Sequence, residues 1–366
     1  MQRLDRARRR LLRGVAGLAI GAAVAPAASG RAATESSGAR PRRVIIDTDP
    51  GIDDALAIFL ALASPELEVA ALTAVAGNVP LELTLPNALR LLEIAGRAGI
   101  PVAAGASRPL RRQLVTAAYV HGHNGLGGVE FPAPSTRPVD EPAPQLIRRI
   151  VRATPGEVSI IAIGPLTNLA LAFQADPELP SLLRGLTIMG GSLSGGNITP
   201  AAEFNSYVDP EAAQIVYRSG APITMVGLDV TRKVVLGEPQ VAALERSGHP
   251  AGRAAGRMLR AALSAVRQSG ANGGQLLVHD ALAVAVCVDP SLVTLEDRHV
   301  RVETAGEFTA GETVGYRKAP MRRSAPWADS PAVADTASYQ PNARVAVDVD
   351  AGRCLALLVE RVAPPG

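Results

Sequence analysis

The stretch "RVIIDTDPGIDDALAIFLAL", from Arg43 to Leu62, joins an apolar run typical of a buried strand to an apolar run typical of a helix. Pro50 and Gly51 lie between the two runs and predict a tight turn. A strand followed directly by a helix is the first part of a βαβ unit. The stretch therefore predicts an α/β fold. It also crowds four acidic residues around the turn: Asp47, Asp49, Asp53 and Asp54.

The same alternation continues along the chain. Four further apolar runs, "EVAALTAVAG", "EVSIIAIG", "LTIMGG" and "APITMVGLD", are separated by helix-like segments. Strands that are apolar throughout are typical of a parallel sheet covered on both faces. We predict an open, doubly wound, mostly parallel sheet flanked by helices, in a single domain of residues 43–366. The less regular region from about Gly237 to Gln275 is predicted to be a small helical insertion near the functional site of the sheet.

Composition limits the classes of function. With 366 residues, 47% of them hydrophobic, the chain can bury a large core. Only 3% of the residues are aromatic, and Trp327 is the single tryptophan. Proteins that bind single-stranded nucleic acid stack bases on aromatic side chains, so we expect no nucleic-acid partner.

The first 33 residues differ from the rest of the chain in charge. They carry seven arginines and one acid, Asp5, so the remainder holds a net charge of −3 although the whole chain is +3. A basic start, a Gly/Ala-rich apolar run and small residues after it form the layout of an export signal. We predict an export signal over residues 1–33 and a polar linker over residues 34–42.

The segment "RRRLLR", from Arg8 to Arg13, resembles the twin-arginine export motif. It predicts a periplasmic or extracellular protein that meets a membrane only during export. An ordinary secretory signal or an uncleaved anchor stays an alternative, because basic clusters precede apolar runs in all three. Cys287 is the first cysteine, so we expect no lipid on an N-terminal cysteine, and two cysteines are too few for a disulfide framework.

Polar residues follow the carboxyl ends of the predicted strands. Asp49 follows the first strand and Asn78 the second, while "GPLTN" and "GGSLSGGN" follow the next two. Ligands of open α/β sheets bind at that edge. These residues are therefore predicted to converge on one crevice.

The crowded aspartates need a chemical explanation. One aspartate at a helix N-terminus is commonly a cap, but a cap does not require three carboxylates. Carboxylates packed together repel one another and bind protons unless a cation neutralises them. Oxygen ligands favour Ca²⁺ or Mg²⁺. Asp53 and Asp54 point about 100° apart on a helix, so one can hold a metal while the other faces a water.

The segment "DTDPGIDDA" resembles the signature of the calcium-dependent, inosine-uridine preferring nucleoside hydrolases, which split ribonucleosides into ribose and a free base. Further segments resemble the family in the same order, from Val44 to about Val362: "VAGN", "IAIGPLTNLA", "LTIMGG", "GGNITPAAEFN", "DPEAA", "MVGLDVT" and "HDALAVA". The resemblance implies a hydrolase that uses Ca²⁺ and acts on a small-molecule ribonucleoside. It also implies a homodimer or homotetramer.

The resemblance assigns roles to the acidic cluster. It implies that Asp49, Asp54 and Asp280 bind Ca²⁺ together with the main-chain carbonyl of Ile163. Asp53 resembles the general base. Asp47 has no role in the family pattern, and we interpret it as structural, bonded to amides of the turn.

The resemblance also assigns the substrate contacts. Asn78 is placed near the attacking water and the ribose, and Met189 beside the sugar. His279 and His121 are placed near the leaving base, His279 as a catalytic residue and His121 on a glycine-rich loop. The positions that match hydrogen-bonding partners of the ribose hydroxyls are Asn197, Glu203 and Asn205.

Structural interpretations compete with these roles. Asp280 could cap a helix, and Asp209 before Pro210 is predicted to do so. Asn197 could serve a turn, Glu203 and Asn205 could be solvated loop residues, and Met189 could be core. The segment "RQSGANGGQLL", residues 267–277, lacks the aromatic residues that many relatives place over the base, so the base preference stays open.

Two other functions remain open from the sequence. "DTD" also matches the paired aspartates of haloacid dehalogenase-like phosphatases, but those enzymes need a later lysine, and Lys233 and Lys318 are poorly placed. An exported, calcium-dependent protein that binds a sugar or nucleoside without catalysis is the third function. It would not need Asp53 beside a complete set of metal ligands.

Overall fold

The computed structural model describes residues 40–316 and 340–364. The predicted export signal, the linker up to residue 39 and Trp327 lie outside the described residues. Arg42, assigned to the linker from the sequence, is the first residue of strand β1. The described residues, which begin at Arg40, form one compact unit.

Nine strands of the described residues form one sheet, in the order β10-β9-β11-β6-β5-β4-β1-β2-β3. Strands β1 to β6 and β11 pair in parallel, while β9 pairs antiparallel with both β11 and β10. The strands are β1 (Arg42–Thr48), β2 (Leu67–Ala74), β3 (Val102–Ala104), β4 (Val158–Ala162), β5 (Gly185–Met189), β6 (Ile223–Val226), β9 (Val293–Val302), β10 (Thr313–Tyr316) and β11 (Ala343–Val349). A separate antiparallel pair joins β7 (Val235–Leu236) to β8 (Leu276–Leu277).

Helices connect these strands and cover the sheet. The described helices are α1 (Ile52–Ala63), α2 (Leu81–Ile94), α3 (Ala118–His121), α4 (Ala143–Ala153), α5 (Thr167–Ala175), α6 (Phe204–Val208), α7 (Pro210–Tyr217), α8 (Leu228–Thr231), α9 (Glu238–Glu245), α10 (Pro250–Ser269), α11 (His279–Val288) and α12 (Ala351–Val362). Short 3-10 helices span Leu179–Leu182, Ala271–Gly274 and Pro290–Leu292.

The predicted fold class is confirmed. All five apolar runs form strands of the parallel part of the sheet. Successive side chains of β1 enter different cores, which shows that the sheet is buried on both faces. Val44 and Ile46 pack in a core that includes α1, α10 and α11, whereas Ile45 packs in a core that includes α4, α5 and α7.

The region from about Gly237 to Gln275 is helical, as the sequence predicted. It contains α9, α10 and a 3-10 helix, and α10 packs against α1, α2 and α9. Gly270, with a φ of 69°, ends α10 in the left-handed conformation. The segment 267–277 thus runs from the last turn of α10 to β8.

The strand order creates the crevice that the sequence predicted. From β1 the chain goes to β2 and β3 on one side of the sheet, and β4, β5 and β6 then build the other side. The connections that leave β1 and β4 therefore run to opposite sides. An opening forms at the carboxyl ends of these two strands, where such sheets bind their ligands.

Asp209 has the structural role that the sequence predicted. It is the N-cap of α7, and its Oδ1 accepts a hydrogen bond from the amide of Ala212 at 3.0 Å. Its Oδ2 accepts hydrogen bonds from the Thr167 hydroxyl at 2.7 Å and the Leu110 amide at 2.9 Å.

Among the described helices, none is long and apolar enough to span a membrane.

Candidate active site

Asp49 lies just after β1, at the crevice, and is fully buried. Its Oδ2 accepts a hydrogen bond from the Asn78 amide at 2.7 Å, while its Oδ1 has no hydrogen-bond partner. Two glycines make room for the carboxylate. A Cβ at Gly77 would lie 2.0 Å from Oδ2, and one at Gly164 would lie 2.6 Å from Oδ1. The structure thus places one unbonded carboxylate oxygen in a slot that side chains at these two positions would close.

Asp54 closes the N-terminus of α1. Its Oδ2 accepts hydrogen bonds from the Gly51 amide and from Asn78 Nδ2, both at 2.9 Å. Its Oδ1 accepts one from the Thr48 hydroxyl at 2.7 Å. The bond to Gly51 is half of a capping box, so Asp54 stabilises the helix end and also belongs to the acidic cluster.

Three carboxylates converge from two helix starts. Asp53, Asp54 and Asp280 each place one oxygen within 4.8 Å of the others. Helix α11 begins at His279 and its N-cap is Val278, so Asp280 lies inside the first turn and is not a cap. The capping interpretation of Asp280 is therefore wrong.

Burial and mutual repulsion dominate the electrostatics of the cluster. Burial, followed by the charge of Asp54, raises the pKa of Asp49 well above its usual range. Burial and then the charge of Asp53 do the same to the pKa of Asp280. Burial also raises the pKa of Asp53, and the charge of His279 opposes that rise. A bound cation would remove this cost, and an unbonded oxygen among carboxylates suits an ion that prefers oxygen ligands.

The main-chain carbonyl of Ile163 lies directly after β4 and faces Asn205. It accepts a hydrogen bond from Asn205 Nδ2 at 3.0 Å, and the same amide group donates to the Met189 carbonyl at 3.1 Å. Met189 ends β5 and is 2% exposed. Asn205 is buried too, so interpreting it as a solvated loop residue is wrong.

Glu203 is the N-cap of α6 and is buried. Its Oε1 accepts from the Asn205 amide at 2.9 Å, and its Oε2 accepts from the Gly191 amide at 2.9 Å and the Ser206 amide at 3.2 Å. Its interpretation as a solvated loop residue is wrong as well. Asn197 is exposed, and its Oδ1 accepts a hydrogen bond from the Phe204 amide at 2.9 Å, which holds the loop to α6.

The two histidines differ in their contacts. His121 Nδ1 accepts a hydrogen bond from the Ile52 amide at 3.1 Å and lies 3.9 Å from Asp53 Oδ1. Burial lowers the pKa of His121 to about 4. The ring packs on Gly51, where a Cβ would lie 2.5 Å from Nδ1. His279 Nδ1 instead lies 2.7 Å from the Thr231 hydroxyl.

Sequence reasoning missed the neutral partners of this site. The hydroxyl of Thr48 bonds to Asp54, and the hydroxyl of Thr231 bonds to His279. A lone threonine has no distinctive pattern in a sequence.

Asp47 also differs from expectation, because its Oδ1 accepts from the Thr73 hydroxyl at 2.5 Å and from Asn168 Nδ2 at 2.8 Å rather than from amides of the turn.

The fold and the site define a class of protein. A parallel α/β sheet that presents carboxylates and a histidine at its switch point has the parts that metal-assisted hydrolysis needs: oxygen ligands for a cation and a carboxylate that can take a proton.

Comparison with known proteins identifies the family. Residues 44–356 match the family model of the inosine-uridine preferring nucleoside hydrolases. A protein of Citrobacter koseri named pyrimidine-specific ribonucleoside hydrolase RihA is 42% identical over 323 residues, which cover 87% of this chain and 97% of that protein. The chain belongs to the inosine-uridine preferring nucleoside hydrolase family, and it is an enzyme that hydrolyses ribonucleosides to ribose and base.

Solved structures agree with this assignment. The plant nucleoside hydrolase PpNRh1 superposes with a TM-score of 0.82 at 39% identity and covers 89% of this chain and 100% of its own. A purine-preferring ribonucleoside hydrolase from Gardnerella vaginalis has a TM-score of 0.78 at 33% identity, covering 88% of this chain and 98% of its own. Family membership decides against the phosphatase and the non-catalytic binding protein.

The buried carboxyl of Asp47 predicts how the free energy of unfolding changes with pH. Burial raises the pKa of Asp47 to about 7, and its Oδ2 has no hydrogen-bond partner. Because the folded protein holds this proton and the unfolded chain releases it near pH 4, the stability contributed by Asp47 is present at low pH and lost as the pH rises towards 7. From about pH 5 to about pH 7.5, wild type should lose about 2 to 3 kcal/mol of unfolding free energy relative to Asp47→Asn.

Urea unfolding in excess chelator measures this difference. Asp140→Asn, at an exposed position, controls for the substitution itself. A gap between wild type and Asp47→Asn that is the same at both pH values would contradict a raised pKa.

Proposed function

We propose that the chain is a calcium-dependent nucleoside hydrolase in which Asp53 is the general base. The observation that carries this proposal is the convergence of Asp53, Asp54 and Asp280. They meet at the switch point where Asp49 keeps one buried oxygen without a partner.

The proposed metal ligands are Asp49, Asp54, Asp280 and the carbonyl of Ile163. Their hard oxygen atoms fit Ca²⁺. A bound Ca²⁺ would orient the ribose diol and lower the pKa of a water. The Ile163 carbonyl also accepts a hydrogen bond from Asn205 Nδ2, so its oxygen would serve both that amide group and the ion.

Asp53 suits the role of base because the oxygens of the adjacent Asp54 already accept hydrogen bonds from the protein. Both oxygens of Asp54 accept hydrogen bonds from fixed donors, whereas the side chain of Asp53 is 15% exposed. We propose that Asp53 takes a proton from the attacking water while Asn78 orients that water. The water oxygen then bonds to the anomeric carbon of the ribose.

The ribose contacts are proposed for the residues around the start of α6. Glu203 and Asn205 are both buried. Backbone amides hold the Glu203 carboxylate, and Asn205 Nδ2 donates to the carbonyls of Ile163 and Met189, so both side chains can meet hydroxyl groups without losing side-chain entropy. Met189 packs beside Asn205, with its Sδ 3.6 Å from Asn205 Nδ2. Asn197, at the exposed edge of the loop, would contact the ribose from the rim.

At the base, we propose that His279 donates a proton to the leaving group and that His121 donates a hydrogen bond. As the N-glycosidic bond breaks, its electrons go to the base, and the proton from His279 neutralises that charge. The proton from water ends on Asp53, so nucleoside and water give ribose and base, and transfer of a proton from Asp53 to His279 through solvent restores both groups. We propose pyrimidine nucleosides as preferred substrates, because RihA from Citrobacter koseri is named pyrimidine-specific.

The base assignment predicts the effect of Asp53→Asn. General-base catalysis is typically worth about 10² to 10⁴ in rate, so kcat should fall by that order on uridine, cytidine and inosine alike. Ribose release measures the rates and calorimetry measures Ca²⁺ affinity. A near-normal rate, or a rate loss that follows weakened Ca²⁺ binding, would remove Asp53 from the role of base.

The metal assignment predicts that excess EDTA abolishes activity and that Asp49→Asn weakens Ca²⁺ binding. Removing one charged ligand should lower the affinity about tenfold or more, because charged oxygens set the affinity of such sites. Calorimetric titration of the metal-free protein with Ca²⁺ is the measurement. Asp47→Asn is the matched control, since Asp47 bonds to Thr73 and Asn168 instead. Equal affinities for Asp49→Asn and Asp47→Asn would refute the ligand set.

We also propose export through the twin-arginine route, supported by the "RRRLLR" segment. A fusion of residues 1–40 to a folded reporter should cross the cytoplasmic membrane, and changing Arg8 and Arg9 to lysine should block it. Cell fractionation measures both. Transport that persists in the lysine variant would favour an ordinary secretory signal. The homodimer or homotetramer stays a prediction from the family resemblance.

A further inference from the structure

Helix α8 is a single turn that contacts the glycine-rich loop after β5. Asp229 accepts hydrogen bonds from the Leu193 amide at 2.8 Å and from the Ser194 hydroxyl at 2.6 Å. Arg232 donates to the Gly195 carbonyl at 3.4 Å and also to the Gly196 carbonyl. Two side chains thus hold α8 to four successive loop residues, which fixes the position of this short helix.

Thr231 is the residue of α8 that reaches the base side of the site. It is fully buried, and its amide donates to the Gly227 carbonyl at 3.1 Å. Within the described residues, its hydroxyl makes one hydrogen bond, to His279 Nδ1 at 2.7 Å. A β-branched side chain has few accessible rotamers, so this hydroxyl is a fixed partner for the imidazole ring.

The contact constrains which nitrogen of His279 can serve a substrate. Nδ1 is occupied by Thr231, so Nε2 is the nitrogen left to meet a nucleobase. A neutral imidazole carries its proton on one nitrogen only, and the partner of the other nitrogen decides which. A histidine that donates its Nε2 proton and stays a neutral ring must carry its second proton on Nδ1, where the Thr231 hydroxyl oxygen is placed to accept it.

In His121, too, the partner of Nδ1 decides which ring nitrogen carries the proton. The Ile52 amide can only donate, so Nδ1 of His121 must accept and its neutral ring must carry the proton on Nε2. Both imidazoles beside Asp53 would then offer an Nε2 proton to a ligand.

We infer that Thr231 is a positioning residue for His279: its hydroxyl oxygen accepts the Nδ1 proton of the protonated ring, so that the Nε2 proton is directed at the leaving base and the ring left after the transfer is neutral, with its proton on Nδ1. The inference rests on the proposed role of His279. Losing the hydroxyl would let the ring rotate or adopt the other tautomer, and proton donation would become less effective. Catalysis that does not need the donated proton would be unaffected.

Two substrates and two substitutions test this inference. Uridine has a base that leaves poorly as an anion, whereas p-nitrophenyl riboside releases a stable anion that needs no proton. Thr231→Val removes the hydroxyl at nearly constant volume and should lower kcat on uridine about tenfold or more, a part of the general-acid contribution. The loss on p-nitrophenyl riboside should stay within about threefold, and Thr231→Ser should restore most of the rate on uridine.

The controls separate positioning from general damage. Thr224→Val makes the same change at a buried position of β6 and should leave both rates near wild type. In a His279→Ala background, Thr231→Val should cost little further rate on uridine, because the group it positions is already gone. Thermal unfolding of each variant shows whether the fold is retained.

Each outcome is informative. A selective loss for His279→Ala and for Thr231→Val, rescued by serine, supports the inference. A selective loss for His279→Ala alone overturns it and leaves the proposed acid in place. Equal losses on both substrates for Thr231→Val, or a full additional loss in the double variant, reduce Thr231 to a structural role. No selective loss for His279→Ala rejects the acid assignment and, with it, the positioning by Thr231.

Discussion

The repulsion among buried carboxylates at the start of α1 and α11 is the constraint on which the rest of the site depends. Asp49 and Asp54 are fully buried, Asp280 is 4% exposed, and burial and mutual charge raise the pKa of all three. An unpaired buried carboxylate oxygen costs at least about 1 to 3 kcal/mol, so the folded chain must compensate. It does so with neutral donors, with two helix N-termini and with a donor set suited to a cation.

The backbone around the cluster is shaped by the same requirement. Gly77 and Gly164 flank Asp49 so closely that a Cβ at either would overlap the carboxylate, and Gly51 allows His121 and Asn78 to pack over the turn. None of these three glycines adopts a left-handed conformation. Glycine is required at each position because another group approaches the backbone too closely for a Cβ. Their positions follow from the strand order, which brings the ends of β1, β2 and β4 together.

Structural and chemical roles coincide in several of the site residues. Asp54 supplies the carboxylate half of a capping box and belongs to the acidic cluster, and Glu203 caps α6 beside the residues proposed to bind ribose. Capping is therefore compatible with function here. A helix N-terminus supplies the amides that hold a carboxylate in a fixed orientation, and that orientation is useful for binding an ion or a hydroxyl group.

The sequence by itself determined the parallel α/β class, because apolar runs separated by helix-length segments cannot pack otherwise. It also determined that acidic residues follow β1, because a strand and the turn after it are formed by residues that are consecutive in the sequence. It missed the edge strand β3 and, on the other side of the sheet, strands β9 to β11, which are short or alternate between buried and exposed residues. Only the tertiary structure decided which oxygen of Asp49 lacks a partner, that Asp280 meets Asp53, and that Thr231 bonds to His279. These contacts join residues far apart in the chain, so no local pattern encodes them, and strand order and helix packing set their distances.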